Sequence, residues 1–328
     1  MKRPASTAIA SLAIALVACS VVCSNAPAEE RSPQSAEARA VAFLATEVPR
    51  WAKENACYSC HNNGDAARAL LTALKSGDLG NRAPLADTLE FLSRPEKWDA
   101  NGPEGPFKDK KLARIQFSAA LIDAIQVRAI DDRGQLAQAA ALVAELQMPD
   151  GGWEIDAAGN VGSPVTYGRA LATRMALVTL AAADRAKYRA AIAKARAWLE
   201  AAEPRSVLDA AATLLALVDV ASPAADHQRA RSLEIIRQGE SPEGGWGPFV
   251  NSPPEAFDTA LVLLSLVAQK QPTEAAMIAR GRKYLLATQN ADGSWPATTR
   301  PRGVDSYAQQ LSTTAWATQA LLATRGKE

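Results

Sequence analysis

Gln147-Met148-Pro149-Asp150-Gly151-Gly152-Trp153 is the stretch on which the fold turns. Its spacing returns in Gln289-Asn290-Ala291-Asp292-Gly293-Ser294-Trp295, and Gln238 through Gly244-Gly245-Trp246 reads as the same phrase with a two-residue insertion. Each phrase ends an amphipathic stretch of helical period and leads through a loop into a more apolar one, as at 165–183, 255–269 and 311–324. Trp51 and Trp98 sit at similar places after Phe43-Leu44 and Phe91-Leu92. Trp198-Leu199 marks a further repeat that turns at Glu203-Pro204 and has no glycine loop.

The repeats amount to about six helical hairpins of roughly 50 residues each, the scale on which helix pairs stack side by side. First helices are predicted near 36–48, 85–93, 133–147, 184–202, 223–238 and 273–289, and second helices near 64–76, 111–130, 165–183, 205–220, 255–269 and 311–324. The second set is the more apolar, so it is expected inside, with the first set outside facing water. A closed double ring is the simplest solution and an open solenoid the alternative, although no polar caps stand out at the ends. Composition agrees with an all-α chain: of 328 residues 48% are hydrophobic but only 5% aromatic, and valine and isoleucine form no alternating runs. A formal net charge of +1 leaves no basic surplus for phosphates, so no nucleic-acid partner is expected.

The Q-x-x-D-G-x-W phrases, with Asp258-Thr259-Ala260-Leu261 and Thr314-Ala315 at the following helices, resemble the repeats of squalene and hopene cyclases and protein prenyltransferases. That resemblance spans most of 36–328 and implies an α/α toroid of about six hairpins. Its substrate cavity would open at a mouth where outer helices hand over to inner ones. It also implies that Gln147, Trp153, Gln238, Trp246, Gln289 and Trp295 are architecture. The departures are chemical. No D-x-D-D acid is present, Asp131-Asp132 being the nearest pair, and neither the D-D-x-x-D magnesium motif nor a prenyltransferase zinc set can be found. The chain is also short for the two-domain cyclases, so terpenoid cyclisation is not expected.

The N-terminus reads as an export signal, with Lys2 and Arg3 ahead of an apolar stretch from Ala8 to Val22. Cleavage after Ala26-Pro27-Ala28 would make 1–28 a signal peptide and 29–35 a linker before a toroid at 36–328. Leu16-Val17-Ala18-Cys19 offers the other reading, a lipobox that leaves a lipidated Cys19 and a membrane attachment through that anchor alone. Either route places the protein outside the cytoplasm, in the periplasm or at the cell surface of a bacterium.

Cys57-Tyr58-Ser59-Cys60-His61 is the motif with chemistry in it. C-x-x-C-H lets two thiols add to haem vinyl groups while the adjacent imidazole reaches the iron, so one covalent haem c is expected, with His61 as proximal ligand. Export suits covalent attachment. A redox disulfide and half of a zinc site are the other readings; the first lacks a thioredoxin-like pattern, and the second lacks further ligands beyond His227. Asn62-Asn63-Gly64 is expected to turn the chain before a helix that starts at Asp65.

Met148, in a loop at the mouth, is the candidate sixth iron ligand, against packing beneath the Gly-Trp loop. His227 starts an outer helix at the other end, and Met175 and Met277 read as filler. Lys108, Lys110, Lys111, Arg114, Arg300 and Arg302 gather in mouth-side loops, where they would meet haem propionates or an acidic redox partner protein. Asp209 and Asp258 stand early in inner helices, either as cavity acids or as helix-start carboxylates. The function expected is electron transfer or haem-based redox chemistry, with an apolar small molecule as a further occupant of the cavity. A toroid that binds a lipid, glycan or protein without catalysis is the rival, and a carbohydrate enzyme would need paired carboxylates across the cavity.

Overall fold

The computed structural model describes residues 34–99, 110–131, 133–155, 161–298, 300 and 306–326, together with Met1. The expected signal and lipobox from residue 2 on, the expected linker up to residue 33, and Lys108, Asp132 and Arg302 lie outside the described residues. Residues 35–328 form one compact unit, and no strand occurs among those described.

Among the described residues six outer helices alternate with six inner ones. The outer set is α1 (Ala36–Asn55), α3 (Ala86–Leu92), α5 (Gly134–Ala144), α7 (Arg189–Ala201), α9 (Pro223–Gln238) and α11 (Ala275–Thr288). The inner set is α2 (Ala67–Ser76), α4 (Lys110–Gln126), α6 (Gly168–Ala183), α8 (Val207–Ala216), α10 (Ala256–Gln269) and α12 (Tyr307–Ala323). The inner helices touch in order, α2 on α4, α4 on α6, α6 on α8, α8 on α10, α10 on α12, and α12 back on α2. The ring is closed, and the solenoid alternative falls. Burial follows the sequence pattern: α10 and α12 are buried almost all round, whereas α7 and α9 bury one stripe.

The repeated phrase builds one joint, used three times. Trp153, Trp246 and Trp295 are each fully buried. Their indole N–H groups donate to the carbonyls of Val143, Ile236 and Leu285, each ten residues upstream, at 2.7–2.9 Å. Their backbone N–H groups donate to the hydroxyls of Thr173, Thr259 and Thr314 on the next inner helix at 2.9–3.1 Å. One tryptophan therefore stitches an outer helix to its inner partner and fills the space between them. The glycines Gly151, Gly244 and Gly293 have φ of 101°, 87° and 93°, and a Cβ there would press on the backbone of the next outer helix at Lys194, Arg280 or Arg39.

The register of the middle phrase needs correcting. Glu240, not Gln238, occupies the glutamine position, and no insertion exists: Ser241 N–H donates to Gly245 O as Met148 N–H does to Gly152 O and Asn290 N–H to Ser294 O. Gln147 and Gln289 each donate to a carbonyl of the next outer helix, Ala191 and Ala36. Glu240 instead holds Arg280 of α11 through both oxygens, while Gln238 reaches only Glu234 one turn back.

Hairpin six closes on hairpin one. Gln289 docks on α1, and Tyr307 stacks on Trp51 with centroids 5.3 Å apart and donates its hydroxyl to Glu47. Among the described residues no helix is long and apolar enough to cross a membrane.

Candidate functional site

The C-x-x-C-H motif lies where α1 hands over to α2, at the seam between hairpins one and six. The chain does not turn at Asn62-Asn63-Gly64 as expected. Cys60–Ala66 forms a π-helical turn that runs directly into α2, and such turns recur at functional positions. Its polar residues explain the distortion. Asn63 Oδ1 accepts from Ser59 N–H, and its Nδ2 donates to Thr88 of α3. Asn62 Nδ2 donates to Glu47 O on α1 and to the Tyr307 hydroxyl on α12. Gly64 sits so near α4 that a Cβ would lie 2.8 Å from Gln116 Cβ. The turn is thus held against four helices, α1, α3, α4 and α12.

Cys57 is half-buried and Cys60 buried, and neither is in a disulfide. Tyr58 between them stacks on Phe91 at 4.1 Å. His61 is half-buried. Its Nδ1 lies 3.0 Å from Ser312 Oγ of α12, and no hydrogen bond occupies Nε2. Burial drops the imidazole pKa to about 4, so it is neutral at pH 7. A neutral imidazole with one nitrogen oriented by a hydroxyl and the other unengaged is the form that binds a metal. Among the described residues no three His, Cys, Asp or Glu side chains are grouped to hold a metal ion, so Cys57, Cys60 and His61 do not converge as a zinc ion would require. A haem makes a different demand, because the thiols bond carbon and only the imidazole meets iron. Two thiols outside any disulfide and one neutral imidazole are the groups such an attachment uses. Cys60 is the constrained member, since its thiol is enclosed once the ring is closed.

Met148 is not brought to His61. Gln147 next to it is tied to α7, so Met148 lies at the boundary of hairpins three and four. His61 faces α12 at the boundary of hairpins one and six, across the ring. Met148 is half-buried and hydrogen-bonded through its backbone to Gly151 and Gly152, which is the packing role. His227 is exposed on the first turns of α9, at the end away from the Gly-Trp loops.

The expected basic mouth also changes character. Arg300 Nη1 and Nη2 clasp Asp258 at 2.8–3.0 Å, Nη1 also meets Glu255, and Nε donates to Gly162 O. It ties hairpin six to hairpins five and three and is no docking site for propionates. Arg114 is spent on Asp99, Glu145 and the Leu142 carbonyl. Lys110 and Lys111 remain exposed. Asp258 is a buried carboxyl that burial raises to about 7 against the pull of Arg300. Asp209 takes Arg205 N–H while its own N–H caps onto Ser206, the helix-start role.

A polar group that no repeat phrase marks lies inside the ring. Asp65, fully buried, accepts from Gln116 Nε2 of α4 at 2.9 Å and from the Tyr167 hydroxyl. Burial raises its pKa to about 6. Arg68 pairs with Asp123 at 2.9 Å and lies over Trp316, its Cζ 5.3 Å from the ring centre. Trp316 in turn meets Tyr167 and Phe257 edge-on. The legible signal was a polar residue within an apolar inner helix: Arg68, Gln116, Arg174, Ser312. The interior carboxyls Asp65, Asp123 and Asp258 are each hydrogen-bonded to a protein partner.

The comparisons agree with this architecture. Residues 202–328, less than half of the chain, match the squalene-hopene cyclase C-terminal domain. The fold is an α/α toroid. The type II terpene cyclase MstE from Scytonema superposes with a TM-score of 0.59 at 15% identity, over 89% of this chain and 98% of that one. A glycosidase in complex with glucose gives 0.53 at 13% identity, over 90% and 99%. Identities this low speak for the fold alone. No curated protein matches the sequence. A chain of comparable length thus occurs in a type II terpene cyclase, so shortness does not separate this chain from cyclases.

Proposed function

We propose that this protein is an exported c-type haem protein on an α/α toroid, with Cys57 and Cys60 as thioether anchors and His61 as the proximal iron ligand. The observation that carries it is the imidazole of His61, neutral and held at Nδ1 by Ser312 Oγ with Nε2 unengaged, in a motif whose two thiols are outside any disulfide. Bound haem would supply an iron centre for electron transfer or haem-based redox chemistry. The protein's own contribution is orientation. Ser312 fixes the ring plane of His61, Ser59 Oγ takes the His61 backbone N–H, and Asn62 and Asn63 lock the turn.

Full-length protein made in a bacterium with a cytochrome c maturation system tests the proposal by pyridine haemochrome spectrum and haem-stained denaturing gel. One covalent haem per chain is expected, lost when Cys57 and Cys60 are both changed to Ala. His61→Ala should keep less of it and shift the Soret band. A folded ring carrying no covalent haem would overturn the proposal and favour a toroid that binds a lipid, glycan or protein.

A further inference from the structure

Two guanidinium groups inside the ring each keep a buried N–H group without an acceptor. Arg68 of α2 donates Nε to Asp123, but its Nη1 is buried and has no hydrogen-bond partner, in a residue only 8% exposed. Arg174 of α6 has a weaker set: Nη1 meets the Met175 sulfur at 2.9 Å, a poor acceptor, and buried Nε meets nothing. Among the described residues Arg174 forms no ion pair. Asp123 is engaged with Arg68, and Asp65 is taken by Gln116 and Tyr167. Burial, and then the charge of Arg68, push Arg174 down to about 10. A chain pays for an unpaired buried cation in stability, and replacement by an apolar residue of similar size is commonly neutral or stabilising. Such a cation is kept when something else supplies the negative charge.

We infer that Arg68 and Arg174 form an anion site inside the toroid, which takes the carboxylate or phosphate group of a small molecule. Guanidinium N–H groups offer planar, charge-assisted donors suited to either oxyanion. The flat face of Trp316 beneath Arg68 holds that fork in place. Solvent reaches the site, because the Asp123 side chain is 25% exposed and Arg174 is half-buried. The inference does not depend on haem.

Thermal melting of the full-length purified protein in inorganic phosphate, acetate or chloride at equal ionic strength tests it. Phosphate, acetate or both should raise the melting temperature over chloride in a saturable way, and which of them acts names the group bound. Arg174→Leu should abolish that shift while melting no lower than wild type in chloride. Arg174→Lys should keep a shift with affinity weakened about tenfold, the worth of one charge-assisted hydrogen bond. The site is refuted if neither anion moves the wild-type transition. It is equally refuted if Arg174→Leu melts well below wild type in chloride, since Arg174 would then be structural.

Discussion

Arg282 of α11 and Glu37 of α1 form an ion pair at 2.6 Å, with 5% and 6% of their side chains exposed, across 245 residues of sequence. Arg282 Nη1 also donates to Leu321 O at 2.8 Å, so one guanidinium joins the first outer helix, the last outer helix and the last inner helix. Removing one partner of a buried pair typically costs about 3–5 kcal/mol. Glu37→Gln should cost that order by chemical denaturation, and Glu37→Leu with Arg282→Met should recover much of the loss. Burial works to raise the Glu37 carboxyl, but Arg282 outweighs it and holds the pKa below normal. The stabilisation is therefore present above the unfolded-state carboxylate range and is lost as pH falls through the lower folded value. A wild-type acid transition matching that of Glu37→Gln would contradict this.

Gly64 is the residue on which the π-helical turn depends. Its added Cβ would meet Gln116 Cβ at 2.8 Å and the Gln116 carbonyl carbon at 3.3 Å, both on a packed helix. Gly64→Ala should destabilise by about 1–3 kcal/mol through overpacking. It should also disturb the His61–Ser312 contact, so covalent haem, where attached, should show a shifted Soret band. Unchanged stability and spectrum would remove Gly64 from this role.

The corrected register of the middle phrase separates two residues that look alike in sequence. Gln238 is exposed and reaches only its own helix, so Gln238→Ala should stay within about 0.5 kcal/mol of wild type. Gln289→Ala strips donors from Gly293 O and Ala36 O at the ring seam, at a cost of about 1–3 kcal/mol. Trp246→Ala empties a fully buried site and should cost about 3–5 kcal/mol. Urea midpoints of the three variants, with m-values checked for equality, give the ranking directly.

Local chemistry determined the hairpins, the Gly-Trp joints and the C-x-x-C-H motif. A glycine at positive φ, a buried tryptophan and helical periodicity act over a few residues, so they are readable along the chain. The same locality explains the errors. Glu240 was overlooked because carboxylate and amide play one position through different partners, and Arg280 is 40 residues away. Asn62-Asn63-Gly64 has turn composition, yet contacts to Thr88 and Tyr307 fold it into a helix.

By itself the sequence determined an all-α repeat with a C-x-x-C-H motif ahead of its first inner helix. Only the tertiary structure decided what that motif touches: Ser312 beside His61 across 251 residues, and Arg300 clasped to Asp258 rather than left for an anion. The reason is ring closure. It brings the last hairpin against the first, and the pairings it makes follow from packing geometry that no local pattern encodes.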